Sequence, residues 1–172
     1  MKKHILGTLG KDVSDPTCSM LAAQKIKVKD AIIGYSTFEE AITDLKCKMV
    51  QEVLIPAAYP NIRTFLMDDQ LKVKRIFVFD IPDLVLVTKT ELDEYRALYL
   101  HPATESLLDF VTIKFKTPNF VNSNSIACEM VLKNEECCAI TNRSCAVSYN
   151  LKILEVLRKS IHMPFMVFGE NK

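Results

Sequence analysis

The chain has 172 residues, 49% of them hydrophobic and 25% charged, and its 22 basic and 21 acidic residues leave a formal net charge of +1. The length suits one compact unit with a real core and is short for two full-sized domains. This composition excludes a disordered chain, and the charge balance argues against nucleic acid or a membrane as the main partner. The apolar run after Lys2 and Lys3 is too short for a secretory signal, and no run could cross a bilayer, so a cytoplasmic location is expected.

The six cysteines have no C-x-x-C spacing and no nearby histidines. A zinc site needs paired soft ligands at a workable spacing, so no metal is expected. The adjacent Cys137 and Cys138 would point to opposite faces of a strand, which makes them poor partners for a disulfide. Buried, reduced thiols are therefore favoured over a redox role.

Short apolar runs alternate with amphipathic segments along the chain. In chain order, the predicted elements are a strand at 4–9, a helix at 16–26, a strand at 31–35, a helix at 36–46 opened by a capping box from Ser36 to Glu39, a strand at 53–56, a short helix at 62–66, two strands within 75–87 around a turn at 80–82, a strand at 98–100, a helix at 103–110, a strand at 113–115, a helix capped within 122–125 and running to 132, a strand at 138–141, a short helix at 142–148 and a strand at 165–168.

This alternation predicts an α/β fold with largely parallel sheets. In such sheets ligands bind beyond the carboxyl ends of the strands, where helices begin. Three polar helix starts follow predicted strands, at 16–19, 101–104 and 122–125. Several helix N-termini in one cleft favour an anion, so a carboxylate ligand is expected, although each cap alone also fits a structural role.

Five short motifs occur in an order that resembles the catalytic domains of prephenate dehydratases. They are Leu9-Gly10 with the Thr17-x-Ser19 helix start, Leu54-Ile55-Pro56, His101-Pro102, the segment 122–125, and Thr141-Asn142. The resemblance covers nearly the whole chain and implies a two-lobed, periplasmic-binding-protein-like fold without a regulatory ACT domain. It implies a single catalytic-type domain, with one lobe at 1–76 plus 155–172 and the other at 77–154.

Two segments are similar to the prephenate decarboxylases of bacilysin biosynthesis. The segment 55–67 resembles the Val-Pro-His-Ala-Tyr stretch of that group, and the tail 159–169 resembles its ending. Dehydratases have Pro-Ile-Glu-Asn-Ser at the first place and Thr-Arg-Phe at the second, where this chain has Met163, Pro164 and Phe165. A thioether cannot donate a proton to a leaving hydroxyl.

The resemblance therefore implies decarboxylation of prephenate without loss of the hydroxyl, to a dihydro-4-hydroxyphenylpyruvate, in antibiotic or secondary-metabolite biosynthesis. No cofactor is implied, and the expected partner is a small dicarboxylate, with the oligomeric state, such as a homodimer, left open. One alternative is an isomerase or lyase acting on a related cyclohexadienyl or arylpyruvate compound. Another is a non-catalytic binding module or sensor, because fold alone does not settle function.

The candidate catalytic residues are His101, Tyr59 and Arg63. His101 is a candidate proton donor or a turn residue, Tyr59 projects a hydroxyl or is structural, and Arg63 pairs with a carboxylate or is a solvated helix residue. Candidate substrate-binding residues, each with capping or shaping as its alternative role, are Thr17, Ser19, Ala58, Asn122, Ser123, Asn124, Ser125, Thr141, Asn142 and Met163. Ala57 departs from the decarboxylase group, which has histidine there, so any proton donor at that place is missing. His4 and His162 have no predicted partner.

Overall fold

The computed structural model describes residues 4–26 and 31–171. The chain divides into two compact units. Unit 1 contains the described residues of Met1–Asp15, Ser19–Asp80 and His162–Lys172, and unit 2 contains Pro16–Cys18 and Ile81–Ile161. The chain thus changes unit at 80/81 and at 161/162, while the lobe boundaries expected at 76/77 and 154/155 stay predictions.

Ten strands, five α-helices and one 3₁₀ helix follow one another in the described residues. In chain order they are β1 (Ile5–Leu9), α1 (Cys18–Lys25), β2 (Ala31–Tyr35), α2 (Phe38–Lys46), β3 (Glu52–Pro56), α3 (Ile62–Leu66), β4 (Leu71–Ile81), β5 (Leu84–Thr88), β6 (Glu94–Leu100), the 3₁₀ helix (Pro102–Phe110), β7 (Lys114–Phe120), α4 (Asn124–Lys133), β8 (Cys137–Asn142), α5 (Arg143–Ser148), β9 (Lys152–Arg158) and β10 (Ile161–Glu170). Among the described helices, none combines the length and the apolar character needed to cross a bilayer.

Unit 1 is built on a sheet with the strand order β2-β1-β3-β10-β4. β1 runs parallel to β2 and β3, and β10 runs antiparallel to β3. α2 presents an apolar stripe at helical spacing, and its buried residues pack with β3 and β10 in one core. The stripe consists of Phe38, Ala41, Ile42 and Leu45.

The cap of α2 lies one residue later than predicted. Thr37 is the N-cap: its hydroxyl accepts from the Glu40 amide N–H at 3.1 Å, and the Glu40 carboxylate accepts from the Thr37 N–H at 3.3 Å. The predicted box from Ser36 to Glu39 is therefore wrong, because Thr-x-x-Glu offers the same geometry one position along. This shift leaves the Glu39 side chain available for other contacts.

Unit 2 has a sheet with the order β7-β6-β8-β5-β9. β6 runs parallel to β7 and β8, whereas β5 runs antiparallel to β8 and β9. α4 packs Ala127, Cys128 and Val131 against residues of β5 and β8. Cys137 and Cys138 are both buried in β8 and both are free thiols.

Both sheets are mixed, so the expectation of largely parallel sheets is wrong. Parallel neighbours are reached through a helical crossover, as from β1 to β2 through α1 and from β6 to β7 through the 3₁₀ helix. β5 and β10 follow directly after a strand, across 82–83 and 159–160, without a helix between. Such strands have no crossover that returns the chain in the parallel direction, and both pair antiparallel.

Candidate active site

Three parallel, adjacent strands of unit 2 end at the same edge of its sheet. The registers pair Leu100 of β6 with Phe120 of β7, and Tyr99 of β6 with Ala139 of β8. Their carboxyl ends lead to His101, to the segment 122–125 and to Asn142. The structure therefore brings these predicted residues to one edge of the sheet of unit 2, where three helices begin.

The start of α4 uses most of its hydroxyl groups within the fold. Ser123 is the N-cap and accepts from the Ile126 N–H at 3.2 Å, and its Oγ lies 3.0 Å from that of Ser125. Thr141 donates its hydroxyl to the Asn124 carbonyl at 3.0 Å. Both serines and Thr141 are buried, whereas Asn122 is exposed. These side chains hold the helix start in place.

Asn142 is fully buried and joins two segments of unit 2. Its Oδ1 accepts from the Cys145 N–H at 2.9 Å as the cap of α5, and its Nδ2 donates to the Pro16 carbonyl at 3.0 Å. Both ends of the amide are thereby used inside the protein. The contacts favour the capping role of Asn142, one of the two roles that the sequence leaves open.

Cys18, which no sequence motif singles out, lies between two side-chain amides. Its sulfur accepts from Asn124 Nδ2 at 3.5 Å and from Asn142 Nδ2 at 3.6 Å. Burial raises the pKa of the Cys18 thiol to about 12, so the sulfur stays neutral at working pH. Asn124 Oδ1 is buried without a hydrogen-bond partner among the described residues. The neighbouring Thr17 and, in unit 1, Ser19 are buried as well.

His101 caps the 3₁₀ helix with its ring. Nδ1 accepts from the Ala103 N–H at 3.1 Å, and Thr104 donates its hydroxyl to the His101 carbonyl at 2.8 Å. Burial lowers the pKa of His101 from 6.5 to about 4. The imidazole is therefore neutral at working pH with its proton on Nε2, because Nδ1 is the acceptor. This arrangement shapes the turn and leaves one weakly acidic N–H.

Tyr59 is half-buried in unit 1, within an aromatic cluster. Its ring packs edge-on against Phe38 with centroids 4.7 Å apart and stacks on Phe65 at 6.0 Å. The hydroxyl donates to Glu39 Oε1 at 2.6 Å. Burial, followed by the hydrogen bond to Glu39, raises the pKa of Tyr59 to about 12. Sequence reasoning misses Glu39 because the contact joins two elements and no local motif signals it.

Ala57 and Met163, which mark the two departures from the related families, lie in neighbouring segments of unit 1, at the end of β3 and within β10. β10 pairs antiparallel with β3, with Phe165 opposite Pro56. The pairing continues through the Ala57 N–H, which donates to the Pro164 carbonyl at 2.8 Å. Met163 is half-buried and Ala58 is exposed. Neither Ala57 nor Met163 carries a proton donor, so this part of unit 1 has no side-chain acid at the two compared positions.

Arg63 lies on α3 and is exposed. It makes no ion pair with another residue of 4–26 or 31–171. The other two histidines have acidic partners: His4 Nε2 lies 3.0 Å from Glu52 Oε2, and His162 contacts Asp80. The guanidinium is thus available to an anion, while both histidines are engaged.

Two surface depressions lie away from the predicted residues. One, of about 480 Å³ in unit 1, is lined by Lys46, Lys48, Asp69, Gln70, Glu170 and Asn171. The other, of about 470 Å³ in unit 2, is lined by Glu91, Leu92, Asp93, Tyr95, Ile113 and Leu154. Within the described part of the chain, no three His, Cys, Asp or Glu side chains are grouped for a metal ion.

Comparison with known proteins relates the chain to enzymes that act on prephenate. It is 27% identical over 144 residues to a prephenate decarboxylase of Bacillus amyloliquefaciens, covering 80% of this chain and 70% of that protein. It is 28% identical over 185 aligned positions to a prephenate decarboxylase of Planktothrix agardhii (strain NIVA-CYA 126/8), covering 99% of this chain and 90% of that protein. The predicted resemblance is confirmed. No family model matches the chain.

Solved structures agree with the predicted fold. The prephenate dehydratase of Arthrobacter aurescens in complex with L-Phe superposes with a TM-score of 0.71 at 14% identity, over 98% of this chain and 60% of that one. The chain therefore spans less than two thirds of that structure. The periplasmic VFT2 domain of Bordetella pertussis BvgS superposes with a TM-score of 0.58 at 17% identity, over 97% of this chain and 80% of that domain. The α/β, periplasmic-binding-protein-like fold is thus confirmed.

Proposed function

We propose that the chain decarboxylates prephenate without a cofactor and without aromatising the ring, giving a dihydro-4-hydroxyphenylpyruvate. The observation that carries this proposal is the pairing at 57 and 164, which brings the segment with Ala57 alongside the segment with Met163. A dehydratase of this fold needs an acid to expel the ring hydroxyl, and these side chains supply none. The similarity to two proteins named prephenate decarboxylase supports the same reaction.

The reaction balances without an external oxidant or reductant. The bond between the quaternary ring carbon and the carboxylate breaks, CO₂ leaves, and the electron pair moves across the diene. One ring carbon then takes up a proton, and the hydroxyl remains in place. The protein needs to hold the dianion in one conformation, desolvate the departing carboxylate and keep strong acids from the hydroxyl.

The residues of each unit have distinct parts in this proposal. In unit 2 the start of α4, with Ser123, Asn124 and Ser125, binds a carboxylate through its N–H groups. In unit 1 the exposed Arg63 offers a guanidinium that pairs with a carboxylate. A neutral His101 is too weak an acid to expel the ring hydroxyl of prephenate, which agrees with a product that keeps this hydroxyl. The six thiols, none in a disulfide, support a cytoplasmic location. The resemblance of the segments 55–67 and 159–169 to the decarboxylases of bacilysin biosynthesis supports a role in antibiotic or secondary-metabolite biosynthesis.

A second candidate function is binding without turnover. It is favoured by the same observation, because Ala57 and Met163 also fit a chain that has lost catalysis. The two candidates differ in an assay with purified protein and prephenate. We expect the ultraviolet absorbance of prephenate to decline at a rate proportional to the protein concentration. A rise in the melting temperature with no depletion of prephenate would instead identify a sensor.

A further inference from the structure

The Tyr59 hydroxyl is held by a carboxylate from another element. Oη donates to Glu39 Oε1 at 2.6 Å, and Asn61 Nδ2 donates to the same oxygen at 3.4 Å. Glu39 lies in the first turn of α2, and the cap of that helix is made by Thr37 and Glu40. Glu39 is therefore not needed for capping, and its contact with Tyr59 requires a separate explanation.

The aromatic cluster limits how the tyrosine can move. Phe38 meets the ring edge-on and Phe65 stacks against its face, so the ring has little freedom to tilt. The hydroxyl hydrogen can still rotate about the Cζ–Oη bond. The charge-assisted bond to Glu39 fixes that rotation, because a carboxylate only accepts hydrogen bonds.

We propose that Glu39 is the positioning residue of Tyr59 and turns the tyrosine oxygen into an acceptor for a ring hydroxyl of the ligand. The proposal rests on the proposed function in that the ligand carries such a hydroxyl. A phenol has a single proton, and here that proton points to Glu39. The lone pairs of Oη then repel a carboxylate and accept from a hydroxyl.

This assignment changes the role of Tyr59 from a donor to an acceptor. The pKa of Tyr59, raised to about 12 by burial and then by Glu39, keeps the proton on the phenol through the working range. An acceptor beside the ring hydroxyl cannot protonate it, so the hydroxyl does not become a leaving group. Glu39 thereby contributes to a reaction that keeps the hydroxyl.

Two ligands that differ only in the ring hydroxyl test the proposal. Calorimetry gives the dissociation constants of 4-hydroxyphenylpyruvate and phenylpyruvate for the parent and for Glu39→Gln, Glu39→Asp and Tyr59→Phe. We expect the parent to bind the hydroxylated ligand about fivefold more tightly, as one hydrogen bond provides. Tyr59→Phe brings the ratio close to one. Glu39→Gln lowers the ratio, because its amide can donate to the tyrosine oxygen as well as accept from it, and Glu39→Asp retains part of the preference.

The matched control is Glu40→Gln. It removes the same charge one residue along α2 and keeps the capping box, which accepts Glu or Gln at this position. We expect its preference to equal that of the parent. Equal affinities in the parent, binding of neither ligand, or a full preference in Glu39→Gln would each overturn the proposal.

A second readout is independent of ligands. The absorbance change of tyrosine ionisation, taken as the difference between each protein and its Tyr59→Phe counterpart, reports Tyr59 alone. Glu39→Gln is expected to lower the pKa of Tyr59, and an unchanged titration contradicts the positioning role. If prephenate is not consumed but the ligand preference holds, the proposed function fails while the role of Glu39 stands. If prephenate is consumed without the preference, the role of Glu39 fails while the proposed function stands.

Discussion

Acid sensitivity of the fold provides a sharp test of the state assigned to His101. Replacing it with Asn keeps an acceptor near the Nδ1 position for the Ala103 N–H, since Asn is a favoured cap, but removes the titrating ring. The pKa of His101 falls from 6.5 to about 4 on folding because burial disfavours the charged ring. The unfolded chain therefore binds a proton in a range where the folded chain does not.

The sign and the size of the effect follow from linkage. Because the pKa of His101 is lower in the folded state, protonation favours the unfolded state. The free energy of unfolding therefore has its full value above pH ~6.5 and declines towards pH ~4. The full loss is about 3 kcal/mol, and about 2 kcal/mol of it has occurred by pH ~5. Asp68 and Asp83 have lowered pKa values, through Lys46 and through the Ser160 N–H respectively, so their protonation contributes mainly below this window.

Urea unfolding at pH ~8 and pH ~5 measures this contribution. We expect the parent to lose about 2 kcal/mol more than His101→Asn between the two conditions. Asn122→Gln, a substitution at an exposed residue without a titrating group, serves as the control and keeps the loss seen in the parent, because His101 is still present. Equal losses in His101→Asn and the parent would refute a buried neutral imidazole.

Three further outcomes follow from other contacts. Gly34→Ala lowers the melting temperature strongly, because a Cβ at position 34 would lie 2.2 Å from the carbonyl oxygen of Gly10. Gly10 cannot easily move away, since its backbone has a φ of 149°, which favours glycine. Asn142→Ala lowers the free energy of unfolding by about 2 kcal/mol in urea titrations, since it leaves the buried Cys145 N–H unpaired and leaves the Pro16 carbonyl with only the Cys145 thiol as a donor. A thiol reagent modifies one cysteine rapidly in the native protein, the exposed Cys47, and Cys47→Ser removes this fast phase.

Much of the fold is predictable because its signals are local. The stripe on α2, the caps at Ser123 and Asn142, and the apolar runs of β1, β3 and β8 each follow from residues close in sequence. The pattern of apolar runs does not delimit β9, because the alternation of Lys, Glu and Arg with apolar residues in this segment is weak. The predicted sheet direction is wrong where β5 and β10 enter without a helix, since direction depends on pairing across the chain.

The candidate site, like the fold, is predictable only where its signals are local in the sequence. Polar residues after strands predict the helix starts of unit 2, and the structure places them at one sheet edge. Glu39 and Cys18 escape sequence reasoning because their contacts join residues 20 and 106 positions apart. The neutral state of His101 depends on burial, which the His-Pro motif alone does not reveal.

The identity of the product formed from prephenate tests the central claim most directly. Mass spectrometry with proton NMR distinguishes loss of CO₂ alone from loss of CO₂ together with water. We predict a non-aromatic product that has lost CO₂ and kept its ring hydroxyl. Phenylpyruvate as the product, or prephenate recovered intact, would contradict the claim.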